Sequence, residues 1–113
     1  APITTLILSL AIPLHIISLF FLEIPECQTW NFQLDNWWME SLDYRHHTIH
    51  VNKHTAHYES DGSVRLVVSH TDPGVPNWIE TAGHTMGTMC WRWIGAQEHP
   101  LLKTRVAKLA ELK

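Results

Sequence analysis

The sequence has few cysteines and few charged residues, and each shortage excludes a class of protein. Among its 113 residues are two cysteines, Cys27 and Cys90. Two are too few for a disulfide scaffold, although a single Cys27–Cys90 bond stays open. Charged residues make up 17% of the chain, with 8 Lys and Arg against 11 Asp and Glu and a formal net charge of −3. Because a general nucleic-acid-binding protein needs a basic face, this balance predicts no nucleic-acid partner.

The N-terminal part of the chain lacks basic residues, since the first Lys or Arg is Arg45. The apolar run Ile3–Ile24 is long enough to cross a bilayer as a helix, which takes about 20 residues. However, Pro13 would break that helix and no basic residue flanks it. Short apolar runs separated by a proline are typical of buried strands, here Thr4–Leu10 and His15–Leu22. Two strands and a soluble protein are favoured, and a membrane-anchored accessory subunit is the alternative.

What the chain does have is alternation of apolar and polar residues with a period of two. One face carries Trp30, Phe32 and Leu34, and a later segment carries Met89, Trp91 and Trp93 in the same way. This period is typical of half-buried strands. Several short strands with turn signals between them predict one all-β domain over residues 1–113, an antiparallel β-sandwich of jelly-roll-like form.

Turn residues divide the second half of the chain. Asp61-Gly62 predicts a tight turn between the strand Ser63–His70 and a hairpin partner at Tyr58–Ser60. The segment Thr71–Gly83 holds two prolines and two glycines, and we expect an ordered loop anchored by Trp78. Residues Leu101–Lys113 fit either a short C-terminal helix or an edge strand at Thr104–Val106.

Several motifs resemble a known family. They are Trp30-Asn31-Phe32-Gln33-Leu34, Trp38, Ser41-Leu42-Asp43-Tyr44, Asn52, Asp61-Gly62-Ser63, the segment Asp72–His84 (DPGVPNWIETAGH), Gly87 and Arg92. Over about residues 16–112 the chain resembles the C-terminal module of the family catalogued as "domain of unknown function 1214". The resemblance implies a jelly-roll-like β domain with a strand at Ile16–Ile24, preceded here by an apolar lead-in over 1–15. Because such modules usually close a longer chain, we expect a fragment, a processed piece or one subunit of an assembly. The resemblance carries over no catalytic residue.

Nine histidines raise the hypothesis of a transition-metal site. Five of them lie between His46 and His57, where β-branched residues disfavour a helix. On a strand His46 and His50 would be about 13 Å apart, too far for one ion. A metal would therefore need ligands from distant segments, for which the candidates are His50, His70 and His84. Solvated or hydrogen-bonded histidines are the favoured interpretation.

Polar residues around the Asp72–His84 segment make up a candidate ligand pocket. Its members are Asn52, His70, Asp72, Asn77, Trp78, His84 and Arg92. The competing interpretation is structural, because an Asp before Pro-Gly commonly caps a turn through backbone N–H groups. Trp30, Trp91 and Trp93 are expected in the core. Core packing is also the default for Trp37, Trp38 and Trp78, but these lie at strand ends and in loops, so the alternative is that they line a pocket or an interface.

Three functional hypotheses follow. The first is a non-catalytic β-sandwich module that packs against other protein chains or the rest of a longer chain. The second is a small-ligand-binding or metal-dependent enzyme domain that uses the polar pocket. The third is a membrane-anchored subunit held by Ile3–Ile24. No catalytic residue is predicted, and whether the protein is an enzyme stays open.

Overall fold

The structure, a computed structural model, describes residues 3–11, 16–98 and 102–108 of the chain. Over these residues it contains eight strands and no helix. The strands are β1 (Ile3–Ala11), β2 (Ile16–Leu22), β3 (Thr29–Asp35), β4 (His50–Asn52), β5 (Val64–Ser69), β6 (Trp78–Glu80), β7 (Met86–Ile94) and β8 (Lys103–Lys108). The prediction of an all-β protein is confirmed.

The strands form two four-stranded sheets. The first has the order β1-β7-β3-β4 and the second the order β6-β5-β2-β8. All pairs are antiparallel except β5 with β6, which run parallel. The apolar N-terminal run therefore supplies one strand to each sheet, and the alternative of a single membrane helix over Ile3–Ile24 is wrong. Within the described ranges, no helix is long and apolar enough to span a membrane.

Aromatic side chains fill the space between the sheets. Trp30, Phe32, Trp91 and Trp93 alternate with polar residues along β3 and β7 and are 0–2% exposed. The ring centroid of Trp91 lies 6.1 Å from those of Trp30 and Trp93 and 4.8 Å from that of Phe32. They pack in one cluster with side chains of the second sheet such as Phe20. Period-two alternation thus correctly places these three tryptophans in the core.

The second sheet is buried on both faces at its centre. Ile17, Leu19 and Val67 point away from the aromatic core, yet they are at most 1% exposed. Val75, from the segment that joins β5 to β6, packs against them. This double burial explains why β5 reads as a nearly continuous apolar run rather than an alternating one.

Two local predictions differ from the structure. Tyr58–Ser60 is not a strand; the Glu59 and Ser63 backbones close a turn, and β5 pairs with β2 and β6 instead. The segment Thr71–Gly83 is not wholly a loop, because it includes β6.

The prediction of a C-terminal helix is wrong over Lys103–Lys108, because these residues form edge strand β8. Residues 109–113 lie outside the described part of the chain. Cys27 and Cys90 are both free thiols.

Candidate functional site

Asp72 and Asn77, two of the predicted ligand residues, hold the backbone that joins β5 to β6. The Asp72 carboxylate accepts a hydrogen bond from the Gly74 N–H at 2.8 Å, which is the turn cap expected of an Asp in this position. Asn77 makes more bonds. Its Nδ2 donates to the carbonyl oxygens of His57 at 2.8 Å and Arg65 at 3.0 Å, and its Oδ1 accepts from the His57 N–H at 2.8 Å.

The backbone of Asn77 adopts an uncommon conformation and makes a further hydrogen bond. Its φ of 62° lies in the left-handed region, which Asn tolerates better than most residues. Its carbonyl oxygen accepts from the Val67 N–H at 3.0 Å, the first bond between β5 and the segment leading into β6. Asn77 therefore clamps three segments together, and its amide has no hydrogen-bonding capacity to spare for a ligand beyond the second lone pair of Oδ1.

Around this clamp, Trp78, His70 and His84 differ in exposure. The half-buried Trp78 donates its indole N–H to the Ser69 carbonyl oxygen at 3.0 Å. His70 Nδ1 lies 2.6 Å from the hydroxyl of Thr81, a residue 1% exposed. His84 is exposed, and its backbone N–H donates to the Thr81 carbonyl oxygen at 2.9 Å. Two of the three side chains thus bind neighbouring protein groups.

Asn52 and Arg92 lie on the outer face of the first sheet, away from the aromatic core. Asn52 Oδ1 accepts from the backbone N–H groups of His54 and Thr55 at 2.8 and 3.0 Å, so it caps the turn after β4. Arg92 Nε donates to Asn31 Oδ1 at 3.2 Å. The strand registers place two rows across this face, Thr5-Arg92-Asn31-Asn52 and Ile7-Cys90-Gln33-His50.

Burial holds three ionisable groups of this outer face, His50, Cys90 and Asp35, towards their neutral forms. Burial lowers the pKa of the His50 imidazole, and the Arg92 guanidinium lowers it further. Burial raises the pKa of the Cys90 thiol, against the opposing effect of Arg92. Burial also raises the pKa of Asp35, although a 2.7 Å bond from Gln33 and the Arg92 charge lower it. A neutral Cys90 thiol is a poor nucleophile, so this face offers no activated cysteine.

Three of the predicted site residues line one cleft between the edges of the two sheets. His50, Asn77 and Trp78 surround a volume of about 230 Å³, with Thr48, Val51, Thr55 and Ile79 as its other walls. Drug-sized ligands usually occupy pockets of about 300–1,000 Å³, so the cleft fits a small fragment. A larger depression of about 510 Å³, between residues 25–28 and 95–98, contains none of the predicted residues.

Glu80 follows Ile79, a wall of this cleft, and was not among the residues predicted for the ligand pocket. Its carboxylate accepts from the Thr48 backbone N–H at 2.6 Å and lies 3.1 Å from His47 Nδ1, while its own N–H donates to the Thr48 carbonyl oxygen at 2.8 Å. Burial alone would raise the pKa of Glu80, but the bonds from Thr48 and His47 outweigh it and lower the pKa. Glu80 thus joins the edge of the second sheet to the segment before β4.

The metal candidates are not assembled into a site. His50 belongs to β4 of the first sheet, whereas His70 and His84 flank β6 of the second. Across residues 3–11, 16–98 and 102–108, no group of three or more His, Cys, Asp or Glu side chains is placed to hold a metal ion.

An exposed apolar loop follows β3. Asn36 Oδ1 accepts from the N–H groups of Trp38 and Glu40 at 2.8 and 3.0 Å, and Met39 has a positive φ of 63°. This turn leaves Trp37, Trp38 and Met39 exposed by 55%, 77% and 54%. We call these three residues the apolar tip. The default of core packing is wrong for Trp37 and Trp38, because neither is buried within the domain, and the alternative of a pocket or an interface stays a prediction.

The comparisons with known proteins give the fold without a function. No protein-family model and no curated protein matches the chain. The chain is similar to the crystal structure of an uncharacterized protein from Burkholderia cenocepacia, with a TM-score of 0.94 and 45% identity over 96% of this chain. The VPA0106 protein from Vibrio parahaemolyticus matches 92% of this chain at 15% identity, with a TM-score of 0.69. In both cases the match spans 31% of the other, longer protein.

Proposed function

We propose that this chain is a non-catalytic, jelly-roll-like β-sandwich module that packs against the rest of a longer protein, as the resemblance to the "domain of unknown function 1214" family predicts. The observation that carries the proposal is the apolar tip. Soluble domains scatter exposed apolar residues singly, and a contiguous group such as Trp37, Trp38 and Met39 is typical of an interaction site. The similarity to about a third of two longer proteins supports the same function.

The position of the tip favours docking over a role in the fold of the module itself. Asn36 fixes the loop through its own side chain, so the turn does not need the tryptophans for its shape. Trp residues are enriched in the buried centres of interfaces because they bring a large apolar area with one N–H donor. Two adjacent exposed tryptophans on a turn that Asn36 shapes are therefore suited to packing against a partner surface.

Tryptophan quenching in a chimera tests the proposal. The matching segment of the Burkholderia cenocepacia protein is replaced by this chain, and acrylamide quenching of the module's tryptophans is compared with that of the isolated chain. In the isolated chain Trp37 and Trp38 dominate the quenching, because Trp30, Trp91 and Trp93 are at most 2% exposed and Trp78 is half-buried.

We expect this exposed component to be lost in the chimera. Chimeras and isolated chains that carry Trp37→Ser with Trp38→Ser give the background from all other tryptophans, and Val106→Ser, at a residue 66% exposed on β8, is the matched control. Equal quenching of Trp37 and Trp38 in both settings would refute the proposal.

The cleft between β4 and β6 supports a second candidate function, the binding of a small ligand. Its walls combine the Trp78 ring, the His50 imidazole and two threonine hydroxyls, a set that suits a small aromatic compound with one polar group. Phenol is a suitable probe, followed by the NMR signal of the Trp78 indole N–H. A saturable shift that His50→Ala weakens would support binding, and no shift at millimolar phenol would exclude it.

A further inference from the structure

The four edge strands of the sandwich are unequally protected against pairing with another chain. β4 and β6 have three residues each. β8 has six residues and carries Lys103, Arg105 and Lys108. Short edges and charged edges are two of the ways in which proteins prevent the unpaired N–H and C=O groups of an edge from recruiting a further strand. The edges formed by β4, β6 and β8 are therefore protected against pairing with a further strand.

The fourth edge, β1, has none of these protections. It is nine residues long and reads ITTLILSLA, with no charged residue, no proline and no glycine. It pairs with β7 along its whole length, residue by residue from Ile3 opposite Ile94 to Ala11 opposite Met86, so no bulge interrupts it. Over residues 3–11, 16–98 and 102–108, no strand pairs with its other side.

We propose that the free edge of β1 binds the same edge of a second copy of this chain, joining two first sheets into one eight-stranded antiparallel sheet. The inference is independent of the function proposed for the apolar tip. A two-fold axis perpendicular to the sheet keeps the core faces of both copies on the same side, which requires odd-numbered residues to lie opposite odd-numbered ones.

One register of this kind pairs all nine residues, and most of its pairs match in residue type. By sequence it sets Ile7 opposite Ile7 of the second copy, position 6 (Leu) opposite position 8 (Leu), position 3 (Ile) opposite position 11 (Ala) and position 5 (Thr) opposite position 9 (Ser), whereas position 4 (Thr) lies opposite position 10 (Leu). Four of the five kinds of pair therefore join two apolar residues or two hydroxyl residues, the kinds of cross-strand pair that stabilise a sheet. Ile7 is 46% exposed in the single chain, so the second copy also covers an apolar side chain that the fold leaves in water.

A charge-pairing experiment tests both the surface and the register. The wild-type chain is expected to sediment as a dimer. Ile7→Lys and Ile7→Glu each place two like charges side by side at the two-fold axis, and each should weaken the dimer by about 100-fold or more. Because residue 7 faces its own copy, an equimolar mixture of the two variants should form a heterodimer, detected by native mass spectrometry.

Controls separate this outcome from misfolding and from docking through the tip. Phe21→Lys changes a residue 40% exposed on β2, an interior strand of the second sheet, and should remain dimeric. The double variant Trp37→Ser with Trp38→Ser should also remain dimeric. Hydrogen exchange should protect alternate β1 amides in the wild type and release them in Ile7→Lys. A monomeric wild type, a dimeric Ile7→Lys, or variants that stay monomeric when mixed would overturn the proposal.

Discussion

Replacing Asn77 by aspartate tests whether this residue is a structural clamp rather than a ligand-binding residue. The two side chains are nearly the same size, but a carboxylate has no donor for the carbonyl oxygens of His57 and Arg65, which lie 2.8 and 3.0 Å from the amide nitrogen. Two hydrogen bonds are lost at about 1 kcal/mol each, and the unmatched oxygens add about 1–2 kcal/mol more. We expect a loss of about 3–4 kcal/mol at pH 7, from a total of about 6–17 kcal/mol for a chain of this length.

The loss should depend on pH. Two carbonyl oxygens facing the new carboxyl group raise its pKa in the folded state above its unfolded value. A raised folded pKa makes the folded state bind the proton more tightly, so the deficit relative to wild type is full above the folded pKa. It shrinks as pH falls towards the unfolded pKa of about 3.9, because the protonated group can donate one bond again.

Urea unfolding from pH 7 to pH 4 measures this deficit, with Asn77→Gly as the control. Glycine keeps the positive φ and removes the two donated bonds, together with the bond that Oδ1 accepts from the His57 N–H, without adding a charge, so its deficit should not change with pH. If Asn77→Asp were as stable as the wild type at pH 7, or if its deficit were constant with pH, the clamp would be refuted.

Three further changes test the core, a close backbone approach and the link between the sheets. Trp91→Phe should cost about 1–2 kcal/mol less in urea unfolding than Trp30→Phe, because the buried Trp91 N–H has no acceptor among the described residues whereas that of Trp30 does; equal costs would contradict this. Gly87→Ala should lower the unfolding free energy by about 2–3 kcal/mol, since a Cβ there meets the backbone carbonyl oxygen of Asp35. If the variant unfolded at the same temperature as the wild type, the added methyl group would fit and the prediction would be wrong. Glu80→Gln should remove stability that is present above the unfolded pKa of 4.5 and is lost as pH falls through the lowered folded pKa; a deficit equally large at pH 3 and pH 7 would exclude the ionic contribution.

Strands with a strict period were predictable, and strands defined by distant contacts were not. Alternation in β3 and β7 follows from one buried face, so Trp30 and Trp93 could be placed from local sequence alone. β6 has three residues and exists through its parallel pairing with β5, which no local pattern encodes. Tyr58–Ser60 was predicted as a strand from the Asp61-Gly62 turn beside it, but the preceding residue, His57, bonds to Asn77 rather than to β5.

The polar residues of the Asp72–His84 segment show why a concentration of polar side chains in a sequence is weak support for a ligand site. A parallel connection usually needs a dozen or more residues, and here the eight residues 70–77 return the chain from β5 to β6. So short a connection leaves backbone N–H and C=O groups that no ladder satisfies, and these must find side-chain partners. Asp72, Asn77 and Trp78 supply them, at Gly74, His57, Arg65 and Ser69. The hydrogen-bonding groups that suggest a binding pocket in the sequence are therefore largely occupied by bonds within the fold.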